Sequence, residues 1–194
     1  AYLRHIPNMT VLAPADEEEL RLMTRTACAF DGPCSIRYPK SAVSLPEGHS
    51  VSSFEIGKWL TLREGTDAVI LAGGSMVATA LRVAEALAQD GISLTVVNAS
   101  TVKPLDMECL RRVFEMERPI FTLEEHVRMA GFGSSVLEAA SEMGFQPRVK
   151  LLAVDDYFVP HGDHAHLLRD TGLDDESVIR TIRTELNREE STNV

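Results

Sequence analysis

The chain has 194 residues, 44% hydrophobic and 25% charged, which suffices for one sizeable core with an appendage. Its formal net charge of −10 excludes a surface built to wrap nucleic acid or an anionic membrane, because attraction to phosphates is reversed; partners should be proteins or small molecules. No apolar run approaches the ~18 residues of a membrane span. Cys28, Cys34 and Cys109 lack C-x-x-C spacing and give no disulfide framework, which points to buried apolar thiols and a reducing cytoplasm.

The opening Ala1-Tyr2-Leu3-Arg4 enters structured-looking sequence without an initiator Met, as a fragment would. Met9 to Ala13 reads as a short strand ending at Pro14, and Asp16 then caps a helix whose first turn is Glu17-Glu18-Glu19, the acidic start that a helix dipole favours. Asp31-Gly32-Pro33 breaks that helix, and Cys34 to Tyr38 is a second strand stopped by Pro39. Residues 1–40 are thus a strand, helix and strand, too small to fold alone. They are either the remnant of a larger domain or docked on the remainder of the chain. Residues 41–66 read as a linker with a β-segment from Phe54 to Gly65, anchored on a domain surface by Trp59.

From residue 67 the alternation continues. Ala68 to Ala72 is an apolar strand bounded by Asp67 and the Gly73-Gly74 pair. The helix after it has Ala and Leu at helical spacing, with Ser75 as its expected cap. Ser93 to Asn98 supplies the next strand, and a crossover of that length implies parallel pairing. Asp106 opens a helix, Ile120 to Leu123 is a third strand, Gly131-Phe132-Gly133-Ser134 opens another helix, and Lys150 to Val154 is a fourth strand. Helical stretches come after it, from Asp163 to Leu168 and Asp174 to Leu186, with a polar, frayed tail from Arg188 to Val194. The fold class is α/β: a three-layer, doubly wound, mostly parallel open sheet in residues 67–194, with a partial α/β unit at the N-terminus.

Several clusters could carry chemistry. Glu124-Glu125-His126 comes after the third strand at its carboxyl end, where such sheets bind ligands, and paired carboxylates beside an imidazole suit acid–base work. Without a nucleophile or metal set nearby, a salt-bridged or interface-facing loop fits them better. The Gly73-Gly74-Ser75 turn lacks both G-x-G-x-x-G and a P-loop Lys, and fits a structural turn better than a phosphate cradle. Gly131 to Ser134 is likewise a structural helix start. His161, Asp163, His164 and His166 resemble a metal cluster, but spacing across a turn into a helix fixes no tetrahedral site, and Asp163 serves as a helix cap. Arg37, at a strand end between Ile36 and Tyr38-Pro39, suits bidentate capture of a phosphate or carboxylate, or a structural ion pair.

Taken together, Tyr2 to Glu17, Asp31 to Lys40, Val97 to Asp106, Thr122 to His126 with Gly131 to Ser134, and Phe158 to Gly162 with Gly172 to Asp174 resemble successive landmarks of the 1-deoxy-D-xylulose-5-phosphate synthases of the transketolase superfamily. The resemblance implies that residues 1–40 end a pyrimidine-binding domain and that residues 67–194 are a transketolase-like C-terminal domain. It implies thiamine diphosphate and Mg2+ as cofactors of the longer enzyme, a homodimer, and condensation of pyruvate with glyceraldehyde 3-phosphate. Arg37 matches the Arg of an Arg-Tyr-Pro element and is implied to bind the aldehyde's phosphate; Lys40 stands where many members have Arg. The Gly-Asp-Gly magnesium motif, the Glu that activates the cofactor and a His loop before Tyr2 are absent, so this chain alone is expected to be inactive and to bind neither cofactor. A transketolase C-terminal subunit or fragment, and a non-catalytic assembly domain, are the competing expectations.

Overall fold

The computed structural model describes residues 1–40 and 43–192. Asp16 accepts a hydrogen bond from the Glu19 amide at 2.8 Å and starts helix α1, Glu17–Ala29. It connects two parallel strands, β1 (Thr10–Leu12) and β2 (Cys34–Ile36), the second ending before the expected Tyr38. Within the expected linker, β3 (Leu60–Arg63) pairs antiparallel with β5 (Leu94–Asn98) and so becomes an edge of the main sheet; residues 41 and 42 lie outside the described residues.

The central strand is β4, Ala68–Ala72, with all five residues buried. Helix α2 (Met76–Ala88) carries the chain to β5, parallel to β4, and α3 (Met107–Glu115) carries it back across to β7 (Ile120–Val127), on the other side of β4. Helix α4 (Phe132–Met143) leads to β8, Val149–Val154. The order β3-β5-β4-β7-β8 is the expected doubly wound, mostly parallel sheet. Its alternating side chains feed two cores. Ile70, Ala72, Val96 and Leu123 pack under α2 and α6 (Asp175–Thr192), while Val69, Leu71, Val97 and Ile120 pack under α3 and α4. Short helix α5, His164–Asp170, buries no residue.

One strand was not expected from the sequence. β6, Thr101–Lys103, pairs antiparallel with β1, giving a three-stranded sheet in the order β2-β1-β6. Residues 1–40 therefore dock on the rest of the chain. The Ala13 amide donates to the Ser100 carbonyl at 2.9 Å, and Lys103 Nζ donates to the carbonyls of Arg4 at 2.9 Å and Ile6 at 2.6 Å. Trp59 anchors its segment here: it is buried, and its Nε1 donates to the Thr101 carbonyl at 3.0 Å and Oγ1 at 3.1 Å.

Three expectations need correction. Glu124, Glu125 and His126 are not a loop: β7 continues through them to Val127, past an irregularity in its pairing with β8 after Leu123. Of the cysteines only Cys109 is buried; Cys28 lies exposed on α1, which buries only Glu19 and Met23, and Cys34 is half-buried on edge strand β2. Helix α6 continues past Leu186 to Thr192, so the backbone of the expected frayed tail is helical that far; residues 193 and 194 lie outside the described residues.

Candidate functional site

Strands β4 and β7 are neighbours whose onward connections leave in opposite directions, towards β5 and β8, and this opens a crevice outside their carboxyl ends. Gly73 and Gly74 leave β4 there. The Gly73 amide donates to the Leu123 carbonyl at 3.1 Å, and Gly74 adopts φ +61°, a left-handed turn that favours glycine. The N-terminal unit roofs the crevice and encloses a cavity of about 210 Å³, with Leu12 and Phe132 among its apolar walls and Arg37, Glu124, Glu125 and His126 among its polar ones. The structure thus brings Arg37 together with the Glu-Glu-His run, which sequence spacing could not do.

Because side chains alternate along a strand, the two carboxylates part company. Glu124 is 5% exposed, and its oxygens accept from the Phe132 and Gly133 amides, both at 2.7 Å, so the side chain caps α4 from the neighbouring strand. Burial pushes its pKa up, while those two N–H groups pull it down. Gly131 itself makes no side-chain cap; it and Gly133 let the helix approach. A Cβ on Gly131 would lie 2.6 Å from the Val127 carbonyl oxygen, and one on Gly133 2.5 Å from Thr122 Oγ1.

Glu125 faces elsewhere. Its Oε2 accepts from Ser75 Oγ at 3.2 Å, its Oε1 lies 2.9 Å from His164 Nε2, and its carbonyl accepts from Arg37 Nη2 at 2.7 Å. Ser75 is therefore not the expected cap: already helical at φ −52°, it makes no capping bond and turns its hydroxyl to Glu125. His126 Nδ1 lies 3.0 Å from the Val127 carbonyl. The run is not a paired acid–base device, since each member has a different partner.

The histidine-rich stretch also disperses. Asp163 caps α5, accepting from the Ala165 amide at 3.1 Å and the His166 amide at 3.3 Å. His164 meets Glu125, His166 lies 3.4 Å from Asp170, and His161 is exposed. Among the described residues no three His, Cys, Asp or Glu side chains are placed to share a metal ion. Lys40 lines a separate groove with Tyr38 and Pro14. Sequence reasoning missed the Ser75–Glu125–His164 chain, and no local motif signals it. It also missed the burial of Glu19, for which the Asp16-x-x-Glu19 capping pattern was a partial sign.

This arrangement has relatives among known proteins. The family model described as "Transketolase, C-terminal domain" matches residues 57–178, and that described as "Transketolase, pyrimidine binding domain" matches residues 1–46. Proteins named 1-deoxy-D-xylulose-5-phosphate synthase are similar: that of Pelotomaculum thermopropionicum is 45% identical over 184 residues, 94% of this chain and 29% of its own length. That of Shouchella clausii is 42% identical over 184 residues, again 94% of this chain and 29% of its own. The chain thus spans under a third of these relatives. A solved structure described as a split gene transketolase, inactive beta4 tetramer, superposes with a TM-score of 0.85 at 35% identity, covering 95% of this chain and 59% of that one. With the C-terminal-domain model matched over more than half of the chain and a transketolase fold observed, the chain belongs to the transketolase family.

Proposed function

We propose that the chain is the C-terminal part of a thiamine-diphosphate-dependent 1-deoxy-D-xylulose-5-phosphate synthase, acting in the cytoplasm as part of a homodimer. In this reading residues 1–40 end the pyrimidine-binding domain, 41–66 link, and 67–194 form the C-terminal domain. The observation that carries it is the match to named synthases along 94% of the chain at 42% and 45% identity, with the two family models succeeding one another in order. The longer enzyme would convert pyruvate and glyceraldehyde 3-phosphate to 1-deoxyxylulose 5-phosphate and CO2, a precursor step for isoprenoids and thiamine. Bound thiamine diphosphate would supply the electron sink for the decarboxylation.

The described residues do not fit that cofactor: they offer no metal-sharing carboxylate cluster, and two glutamates line the crevice where a diphosphate would need cations. We assign thiamine diphosphate and Mg2+ to the part of the enzyme that this chain does not span. Its own contribution is Arg37, whose Nη2 bond to the Glu125 carbonyl steadies the guanidinium at the cavity and leaves a planar fork for the aldehyde's phosphate.

Two experiments test this. The purified chain, given both cofactors and both substrates, should release no CO2; release overturns the assignment of the cofactors elsewhere. In the longer enzyme, Arg37→Ala should raise KM for glyceraldehyde 3-phosphate about 30-fold, the equivalent of a charged hydrogen bond of ~2 kcal/mol, and leave KM for pyruvate within about twofold. Equal effects on both substrates overturn the phosphate role, and a larger effect from Lys40→Ala moves it to Lys40.

The split-gene neighbour supports a second reading, a separate C-terminal transketolase subunit that assembles with a partner chain and by itself is a non-catalytic assembly module. Recovery of transketolase activity on adding a chain carrying the thiamine site, without synthase activity, would favour it.

A further inference from the structure

Glu19 is one of three carboxylates in the first turn of α1 and the one turned inward, with 1% of its surface exposed. Its Oε2 accepts from the Ala15 amide at 2.6 Å, and its Oε1 accepts from Asn98 Nδ2 at 2.9 Å. Asn98 is the last residue of β5 and wholly buried, so this bond crosses from the N-terminal unit to the five-stranded sheet, next to the Ala13–Ser100 backbone bond. The other end of the same amide, Asn98 Oδ1, is buried with no donor among the described residues.

A buried acceptor of that kind calls for a donor. A neutral carboxyl and a primary amide are complementary: the carboxyl carbonyl takes the amide N–H while its O–H gives to the amide oxygen. A carboxylate can make only the first of these bonds, and leaves Oδ1 unsatisfied. We propose that Glu19 and Asn98 form a proton-operated clasp between the N-terminal unit and the main sheet, doubly hydrogen-bonded when Glu19 is neutral and loosened when it ionises. The titration falls in a useful range. Burial pushes Glu19 up to about 7, against the pull of the Ala15 and Asn98 hydrogen bonds, and the nearby Asp16 charge adds to the rise. The clasp lies on the seam that roofs the candidate cavity, so ionisation would relax the roof that carries Leu12 and Arg37.

Linkage gives the sign. The folded chain holds this proton up to about pH 7, whereas an unfolded one releases it near the ordinary carboxylate value, so stability falls as pH rises between the two and levels above. Trp59, the sole tryptophan, donates to Thr101 on β6 and reports on the seam. Urea unfolding of the 194-residue chain, monitored by Trp59 fluorescence from about pH 5 to 9, should show the folding equilibrium constant falling by up to about tenfold per pH unit, then flattening. Glu19→Gln should remove that component of the slope, and above about pH 7 wild-type amide exchange in residues 10–13 and 99–103 should rise beyond its intrinsic pH dependence. An unchanged slope in Glu19→Gln overturns the proposal, as does seam exchange that ignores pH. Should Glu19→Gln not fold, carbon-13 NMR of the Glu19 carboxyl in the wild-type chain decides: a midpoint near 7 supports the clasp, and one at the ordinary carboxylate value overturns it.

Discussion

Arg37 and Glu125 meet through the backbone and not through their charges: the guanidinium donates to the Glu125 carbonyl at 2.7 Å, while the Glu125 carboxylate is engaged by Ser75 and His164. One residue of β7 thus holds a cation with its main chain and two other elements, α2 and α5, with its side chain.

The side-chain half of that arrangement governs α5. The helix buries no residue, and its ties include His164 to Glu125 and the packing of Leu168 on the core. Glu125→Ala should therefore raise hydrogen exchange across residues 164–170, while the melting temperature drops by no more than a few degrees, because a half-exposed pair is worth ~1 kcal/mol or less. Unaltered exchange in α5 would mean that its apolar packing, Leu168 included, holds it without Glu125.

Glu124 should behave oppositely. Glu124→Ala leaves the Phe132 and Gly133 amides buried without an acceptor, a loss of about 2–4 kcal/mol in urea unfolding, and Glu124→Gln, with one carbonyl oxygen, should fall between. Its raised folded pKa means that its contribution is greatest below the ordinary carboxylate value and declines as pH rises through the folded one. In a Glu19→Gln background, Glu124→Gln should flatten what remains of that decline.

Gly133→Ala sets helix propensity against space. Alanine gains about 1 kcal/mol in an open helix, but here its Cβ would lie 2.5 Å from Thr122 Oγ1 and 2.7 Å from Leu151 Cδ2, and overpacking of that kind costs ~1–3 kcal/mol. The expected outcome is net destabilisation of up to ~2 kcal/mol, read from the urea midpoint. A more stable variant would show that α4 can retreat from β7.

The thiols should alkylate in the order Cys28, Cys34, Cys109. Cys28 is exposed, whereas burial pushes up the pKa of half-buried Cys34 and, first among its causes, of buried Cys109, so the thiolate is scarcer where access is also poorer. Timed iodoacetamide labelling with peptide mass spectrometry checks the order, and early labelling of Cys109 would contradict its burial.

The sequence was most legible where structure is local. Ala68 to Ala72 announced a buried strand by composition, and Asp16, Asp106 and Asp163 announced helix starts that each side chain indeed caps. The winding of the sheet could be read from the alternation of strand and helix. β6 stayed hidden because three residues ending in Lys103 become a strand only through β1, far earlier in the chain. The length of β7 was misread because Glu-Glu-His looks like a turn until Glu124 finds the start of α4 and Glu125 finds His164. Arg37 was singled out from its strand-end position, but its neighbour in space, Glu125, comes from a different sheet.

Only Ala99 and Ser100 separate β5, in the large sheet, from β6, in the small one. A connection that short ties the position of β6 to that of β5, so the N-terminal unit can leave the large sheet only by parting β1 from β6. It also makes the N-terminal unit awkward to trim away. A shortened version beginning after residue 40 would keep Thr101–Lys103 but strip it of β1, and the apolar surface that buried Leu12, Ala13 and Ala15 cover would be bared to other chains. Such a version should express mainly as aggregate, even though its large sheet is intact.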